Sequence, residues 1–344
     1  MGSVPTIWDV ARLAGVSPAT VSNVLGQRKT VDPMLAERVR RAAAELGYRV
    51  HRAASQLRSG RAKVVAVLVP SLENPFFTSL IAVLERCARA DDYEIIVGSS
   101  SEQEAIEDNR LAALLSWKPA GVIIVPCRDT FACRRLLTAE QTPFVVVDRV
   151  ADETLDDCVT IDNAAAAALA AHHLVSLGHR EILVAASTLE LANIRERCAA
   201  IAAQIERLAG GQIEILELGS AFDIAEARME TRMRSGPLPG AAIAVSNYAT
   251  MALLASFARF GTRVPEDISL VGFDDYAWMR AYSPPITAVR QPIDAIAREA
   301  WGWLVERIGG SDAPRRRTEL AVELEIRQST RAAGTASARQ AAHV

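Results

Sequence analysis

The strongest constraint on this chain is the stretch from residue 6 to residue 25, TIWDVARLAGVSPATVSNVL. Apolar residues recur every three or four positions on both sides of Gly15, which predicts two short amphipathic helices separated by a turn. Ser17 followed by Pro18 is a strong start signal for the second helix, because serine caps a helix and proline fits its first turn. With a third helix, these two predict a helix-turn-helix unit whose second helix can enter the major groove of DNA.

The same stretch would also suit an ordinary helical hairpin in a larger core, but the charge around it favours DNA binding. Residues 1–63 contain 11 Lys and Arg against four Asp and Glu, a net charge of +7. The whole chain has a net charge of −3, so the remaining residues carry −10. A basic segment on an acidic body is typical of a DNA-binding module joined to another domain.

Length and composition predict a multidomain globular protein. The chain has 344 residues, which is too long for one typical core. Half of the residues are hydrophobic and 23% are charged, as in an ordinary globular protein. It has no long apolar run and no export signal, so we expect no membrane insertion and a cytoplasmic location. The five cysteines are odd in number and form no CxxC pair, which predicts reduced, buried thiols. We expect no metal and no cofactor.

From Lys63 onwards, short apolar runs alternate with helical stretches, a pattern that predicts doubly wound parallel sheets. Two sets of runs, on either side of about residue 160, predict two similar lobes. Strands are expected at 64–69, 93–97, 121–125, 143–147, 181–185, 213–218, 241–245 and 268–273. Such sheets bind ligands at the carboxyl ends of their strands, so a cleft between the lobes is the natural binding site.

The run from Thr6 to Leu25 resembles the headpiece of the lactose-repressor (LacI/GalR) family of bacterial transcription regulators, and the likeness continues to about residue 327. It implies a helix-turn-helix headpiece with a hinge helix, then a bilobed effector domain like a periplasmic sugar-binding protein. The expected divisions are a headpiece at 1–49, a hinge at 50–62, an effector and dimerisation domain at 63–330 and a disordered tail at 331–344. The expected lobes are 63–160 plus 291–318, and 161–290 plus 319–330.

Within the second helix, the outward positions are Pro18, Ala19, Ser22 and Asn23, and the resemblance implies that Pro18, Ala19 and Asn23 carry most of the choice of operator. Asn can pair with adenine, and Pro or Ala can contact a thymine methyl group. The other residues expected to contact DNA, mostly its phosphates, are Thr6, Ser17, Thr20, Ser22, Lys29 and Tyr48. Gly26 stands where the family usually has Asn, which removes one possible contact.

Residues 49–61 are basic and rich in small side chains, which is compatible with a plain interdomain linker. The resemblance implies instead a hinge helix that forms on DNA. In that case Leu57 would wedge into a central minor-groove step and Arg58 would contact the groove beside it. The chain departs from the family at Val50-His51 and at Ser55, changes that would loosen the hinge and leave the wedge in place.

Polar and aromatic residues lie where several predicted strands stop. Each alone is compatible with a surface cap or an ion pair, but together they suit a hydroxyl-rich ligand. The resemblance assigns effector binding to Asn74, Phe76, Phe77, Asp148, Arg197, Phe222, Asn247, Asp274 and Gln291. Tyr248 replaces the acid that is usual in the family, a change that affects either the class of ligand or only the surface between the lobes.

The implied partners are a pseudo-palindromic double-stranded DNA operator, a second copy of the chain and a small sugar-like effector. A tetramer is not expected, because the C-terminus lacks a leucine heptad. A transport-type binding protein of the same fold would need an export signal and no basic headpiece. An α/β enzyme would need a phosphate-cradling loop or a nucleophile motif, and the sequence has neither. We therefore predict a regulator, most simply a repressor, and leave open whether the effector releases or promotes DNA binding.

Overall fold

The computed structural model describes residues 5–25, 31–48, 62–149 and 156–334. Contacts divide the chain into two units, Met1–Ala62 and Lys63–Val344. The first unit is helical, and the second contains both sheets and helices.

The described residues of the first unit, 5–25 and 31–48, form three helices, α1 (Ile7–Ala14), α2 (Pro18–Leu25) and α3 (Pro33–Glu45). Gly15 ends α1 in the left-handed region with φ +62°, and the Ser17 side chain accepts a hydrogen bond from the Thr20 N–H at 3.1 Å. The buried core is made of small side chains: Val10, Ala11, Ala14, Val21, Val24, Ala36, Val39, Ala42 and Ala43. This arrangement confirms the predicted helix-turn-helix unit.

The second unit contains two six-stranded sheets, each of which forms one lobe. The first sheet has the order β11-β5-β4-β3-β1-β2, and the second has the order β12-β10-β9-β8-β6-β7. The strands of the first are β1 (Ala62–Val69), β2 (Glu94–Ser99), β3 (Pro119–Ile124), β4 (Phe144–Val147), β5 (Cys158–Ile161) and β11 (Arg317–Leu320). Those of the second are β6 (Glu181–Ala186), β7 (Gln212–Glu217), β8 (Ala241–Ala244), β9 (Ser269–Phe273), β10 (Thr287–Arg290) and β12 (Glu323–Glu325). The β10–β12 pair is antiparallel, whereas β4–β5 and β8–β9 are parallel.

Helices follow the strands as a doubly wound fold requires. The first lobe carries α4 (Pro75–Ala90), α5 (Glu104–Leu115), α6 (Arg134–Ala139) and α12 (Ile293–Ile308). The second lobe carries α7 (Asn163–Ser176), α8 (Ala192–Ala209), α9 (Phe222–Arg234), α10 (Asn247–Phe260) and α11 (Ala277–Ala281). The chain passes between the lobes after β5, after β10 and after β11. Each lobe is therefore built from separate stretches of the sequence.

The eight predicted strands are present, with ends shifted by a residue or two, and the predicted fold class is confirmed. The sequence pattern does not predict β5, β10, β11 and β12, which have three or four residues. β4 and β8 are equally short, but they are entirely apolar, whereas each of these four strands contains polar or charged residues that interrupt an apolar run.

The prediction of a disordered tail from residue 331 is wrong for residues 331–334. The Arg331 N–H donates to Ser269 Oγ at 3.0 Å, and the Arg331 carbonyl lies 3.0 Å from His179 Nε2. The Ala333 N–H donates to the Leu177 carbonyl at 2.7 Å. These bonds hold the segment on the second lobe, and residues 335–344 lie outside the described part of the chain.

The described residues include no helix long and apolar enough to cross a lipid bilayer. Within the same ranges, no group of three or more His, Cys, Asp or Glu side chains could hold a metal ion. All five cysteines are free, and four of them are buried.

Two glycines of the first unit allow a matched test of backbone strain. Gly15 and Gly47 both have φ near +60°, but a Cβ at Gly15 would lie 2.9 Å from Arg38 Nη2, whereas a Cβ at Gly47 would meet nothing within 4 Å. Gly47→Ala should destabilise the helical unit by about 1 kcal/mol, the usual strain of a left-handed alanine. Gly15→Ala should cost more, because Arg38 must also move. Hydrogen exchange of the α1–α3 amides in the full chain measures both, and equal effects would contradict the role of Arg38.

Candidate functional site

Helix α2 turns its apolar side to the core and leaves the predicted base-reading positions accessible. Val21 and Val24 are buried, Ala19 is exposed, and Pro18 and Asn23 are partly exposed. This division follows from the helical period, which places residues three and four apart on one face. The described residues therefore leave this face of α2 accessible.

The hydroxyl groups predicted to contact phosphates also fix the ends of the helices. The Thr6 hydroxyl donates to Asp9 Oδ2 at 2.6 Å, and the Ser17 and Thr20 hydroxyl oxygens lie 2.9 Å apart. Ser22 and Tyr48 are partly exposed. Lys29, Leu57 and Arg58 lie outside the described residues, so their roles remain predictions from the sequence.

A cavity lies between the two lobes of the second unit. The empty space between its walls is about 480 Å³, open solvent at its mouth included. Its lining residues are Asn74, Phe76, Phe77, Glu102, Asp148, Arg149, Ser187, Leu191, Asn193, Ile194, Arg197, Ser220, Ser246, Tyr248, Asp274 and Gln291.

Seven of the nine predicted effector residues line this cavity, and Phe222 and Asn247 do not. Phe222 begins α9, and Ser220 in the preceding loop forms the wall at that point. The Asn247 side chain is buried, with Nδ2 3.5 Å from Met251 Sδ. Its backbone N–H instead donates to the Asp274 carboxylate. Among the described contacts, Asn247 reaches the cavity through Asp274.

Two aspartates occupy equivalent places in the two lobes. Asp148 directly follows β4 and Asp274 directly follows β9, with φ values of +66° and +67°. Their amides stay bonded to the neighbouring strands, at 3.0 Å from the Val159 carbonyl and 2.9 Å from the Val289 carbonyl. A non-glycine residue held at positive φ stores strain of roughly 1–3 kcal/mol, and such residues cluster at binding sites.

Burial controls the ionisation of both aspartates. Burial raises the pKa of Asp274 to about 6, although Arg197 and the Gln291 amide favour its charged form. Burial also raises the pKa of Asp148, against the influence of Arg197 and Arg149. The cavity therefore contains carboxyl groups that titrate above their ordinary range.

Arg197 is a buried cation placed between the two aspartates. Its Nε donates to Asn163 Oδ1 and its Nη1 donates to the Val245 carbonyl, both at 2.8 Å. The guanidinium lies over the Phe273 ring, 4.0 Å from the ring centre. Burial lowers the pKa of Arg197, and the carboxylates oppose this effect. The side chain is thus held in one orientation by three different contacts.

Two buried amide oxygens of the residues that line the cavity, Asn193 Oδ1 and Gln291 Oε1, accept no hydrogen bond from the described residues. The amide groups of the same two side chains donate to the aspartates, from Gln291 Nε2 to Asp274 Oδ1 at 2.5 Å and from Asn193 to Asp148. The remaining hydrogen-bonding capacity is therefore mainly acceptor capacity, which suits a ligand rich in hydroxyl donors.

The wall formed by the first lobe is both ionic and aromatic. Arg149 donates twice to Glu102, at 2.6 and 2.8 Å, and its guanidinium lies 5.5 Å from the centre of the Phe77 ring. Phe76 and Phe77 pack edge to face with their centres 5.4 Å apart. Because Arg149 is already paired with Glu102, this wall offers an apolar surface together with a neutralised ion pair.

Glu102, Asn193 and Ser187 also line the cavity, although the sequence does not predict them there. Glu102 follows the end of β2, so the strand-end rule used for Asp148 also points to it. Asn193 lies on α8 one helical turn before Arg197, a spacing that places both side chains on one face. Tyr248 lines the cavity, and its hydroxyl hydrogen-bonds to the Ser71 side chain of the other lobe.

Comparisons with known proteins match both units. Residues 6–50 match the model described as "Bacterial regulatory proteins, lacI family", and residues 171–330 match the model described as "Periplasmic binding protein-like domain". The transcriptional regulator PtxS of Pseudomonas plecoglossicida is 33% identical over 327 residues, covering 94% of this chain and 95% of that protein. The regulator MalR of Streptomyces coelicolor is 30% identical over 334 residues, covering 94% and 96%.

Solved structures extend this likeness to three dimensions. The lac repressor dimer bound to operator and the anti-inducer ONPF superposes with a TM-score of 0.83 at 26% identity, covering 96% of this chain and all of that one. The complex of the transcriptional regulator CelR with cellobiose gives a TM-score of 0.70 at 28% identity, covering 94% and 99%. These relatives are regulators of transcription rather than enzymes, as the absence of enzyme motifs predicts.

Replacing Asp274 with Asn should stabilise the ligand-free second unit at neutral pH. The folded carboxyl group keeps its proton up to about pH 6, whereas the unfolded chain releases it near its ordinary pKa of 3.8. The stability of the wild type relative to the variant therefore falls as the pH rises between these two values. The difference at neutral pH is about 3 kcal/mol, which raises Tm by roughly 5 °C or more.

Calorimetry of the full chain near pH 7.5 and near pH 4.5 checks this prediction. The increase in Tm on replacing Asp274 with Asn should be smaller at the lower pH. Asp312→Asn, in an exposed loop, is the control and should change Tm little at either pH. A gain at Asp274 that is larger in acid than at neutral pH would show that burial of its charge is not the cause.

Proposed function

Because the chain belongs to the LacI family of bacterial regulatory proteins, we propose that it is a repressor of transcription with a sugar-like effector. In this proposal it binds a pseudo-palindromic operator as a homodimer, in the cytoplasm and at the nucleoid. The observation that carries the proposal is the presence, in one chain, of a helix-turn-helix unit with an accessible reading face and an interlobe cavity with free acceptors.

The exposed face of α2 supports the proposed reading of DNA. Ala19, Pro18 and Asn23 lie on that face, and of these only the Asn23 side chain can donate and accept hydrogen bonds with a base edge. Asn23 is therefore proposed as the main source of discrimination. The hydroxyl groups near the starts of α1 and α2 are proposed to hold the helix in register on the phosphates.

The segment 50–62 is proposed as a hinge helix that forms when the dimer binds DNA. Its role rests on the sequence, in which Leu57 is an isolated apolar residue in a basic segment. Two leucines from a symmetric dimer would unstack one central base step and bend the operator. The lac repressor, which resembles this chain along nearly its full length, is a dimer on its operator in the matching structure.

The cavity supports a ligand with many hydroxyl groups. Asp148 and Asp274 present carboxylate oxygens, and the free oxygens of Asn193 and Gln291 add further acceptors. Phe76 and Phe77 provide an aromatic surface for the apolar side of a sugar ring. The relative CelR is complexed with cellobiose in its structure.

Control of DNA binding then follows from linkage. An effector that contacts both lobes favours the closed form of the cleft, and operator DNA favours the form in which the two hinges can pair. If these forms differ, effector and operator change each other's affinity by the same factor. The direction of that change decides between release and promotion of DNA binding.

Selection of bound sequences from a random duplex library tests the operator proposal. Wild-type protein should enrich a palindrome, and Leu57→Ala should weaken binding to it at least tenfold, because without the wedge the DNA is not bent to contact more of the protein surface. Met34→Ala is the matched control, since Met34 is an apolar headpiece residue that is 80% exposed and lies outside the predicted contacts. If Leu57→Ala leaves the enrichment unchanged, the proposed wedge role of Leu57 is wrong. Failure of the wild type to enrich any sequence would count against operator binding.

Titration of the selected operator complex with cellobiose, D-glucose, D-galactose and D-gluconate tests the effector proposal. At least one sugar should change the operator affinity by about tenfold, within the usual range of allosteric coupling. Arg197→Met should abolish that response and leave sugar-free operator binding within about twofold, because Arg197 orients the cavity and lies in the other unit.

Arg259→Met is the matched control for this titration. Arg259 is an exposed arginine of the second lobe that pairs with Glu230 away from the cavity, so the variant should respond to the sugar as the wild type does. A response that survives Arg197→Met would place the effector elsewhere. No response to any of the four sugars would contradict the sugar-like class.

A further inference from the structure

Helix α8 begins without a cap from its own sequence. The residue before it is Leu191, which has no side-chain group able to accept a hydrogen bond. The first four N–H groups of a helix have no partner inside the helix, so an uncapped start is unstable. Leu191 is buried and lines the cavity, so this position contributes apolar packing instead of a cap.

The missing cap comes from the other lobe. Asp129, in the loop after β3 of the first lobe, accepts a hydrogen bond from the Ala192 N–H through Oδ1 at 2.9 Å. Its second oxygen pairs with Arg195 Nη2 at 2.7 Å. A carboxylate at a helix N-terminus is also favoured by the helix dipole. One side chain of the first lobe thus completes the first turn of a helix of the second lobe.

Neighbouring contacts hold this junction in place. Arg195 Nη1 donates to the Leu189 carbonyl at 2.9 Å, which fixes the arginine against the segment that leads into α8. Arg128 Nε lies 3.3 Å from Glu190 Oε2, which makes a second ion pair between the lobes. The loop after β3 and the start of α8 are therefore joined by two ion pairs, Asp129–Arg195 and Arg128–Glu190.

The capped end of α8 is also the end that lines the cavity. Asn193 and Arg197 project into the cavity from the first turns of this helix, and Ile194 contributes an apolar contact. The charge of Arg197 interacts with both aspartates of the cavity, and Asn193 donates to Asp148 of the first lobe. Any loosening of the first turn of α8 therefore moves groups that face the ligand space.

We propose that Asp129 is a positioning residue that couples closure of the lobes to the geometry of the effector site. Separation of the lobes removes the cap from α8 and loosens Asn193 and Arg197, whereas closure restores the cap and fixes both side chains. The effector role of the cavity is taken from the proposed function, but the cap itself exists without any ligand. It can therefore be tested alone.

Hydrogen exchange followed by mass spectrometry on the full chain, without sugar or DNA, tests the cap. In Asp129→Ala, a peptide covering residues 191–196 should exchange about tenfold faster, the effect expected for the loss of one helix cap. Asp129→Asn keeps an acceptor oxygen for the Ala192 N–H and loses the ion pair, so the increase should be smaller. Exchange in β6 should stay unchanged in both variants.

Asp108→Ala is the matched control. Asp108 pairs with Arg135 on the surface of the first lobe, so its loss removes a similar ion pair without touching α8. If the peptide 191–196 exchanges in Asp129→Ala at the same rate as in the wild type, the cap does not form in solution and the proposal is overturned. An equal increase in β6 would show that Asp129 only stabilises the fold, which also overturns it. Both results are independent of whether any sugar is an effector.

Discussion

The second unit depends on placing two carboxylates, those of Asp148 and Asp274, in one small space away from water. Burial of a charge is unfavourable unless other groups compensate, and the raised pKa values of both aspartates record that loss of hydration. Arg197 faces both of them, while the amides of Gln291 and Asn193 each donate to one. These groups come from different elements of two lobes. The site therefore exists only while the lobes are packed against each other.

A site of this kind is less stable empty than occupied. Carboxylates held above their ordinary pKa and unpartnered amide oxygens would both gain partners from a ligand that donates hydrogen bonds. In the proposed function this difference is the source of control by the effector, because a ligand shifts a conformational equilibrium only by its preference for one state. The first turn of α8 in the second lobe also depends on closure of the lobes, because Asp129 of the first lobe caps it.

The local sequence contained much of the site. Asp148 and Asp274 directly follow apolar strands, and parallel sheets bring such strand ends to one edge, so both were found without any three-dimensional information. Phe222 was misplaced because the loop before α9 decides whether residue 220 or residue 222 reaches the cavity. Asn193 was missed because its importance lies in a contact with Asp148 of the other lobe, which no local pattern encodes.

The sequence by itself determined the helix-turn-helix unit and the two sets of alternating strands and helices, because helical period, strand alternation and caps are properties of neighbouring residues. The family followed from the resemblance of the run from Thr6 to Leu25 to its headpiece. Tertiary structure alone decided which lobe each late segment joins, since β11 and β12 are adjacent in the chain and belong to different sheets. It also decided that Asp129 caps a helix more than sixty residues away, and that Tyr248 meets Ser71 across the cleft. Those contacts arise from the packing of one lobe on the other, and a packing of that kind leaves no periodic trace in the sequence.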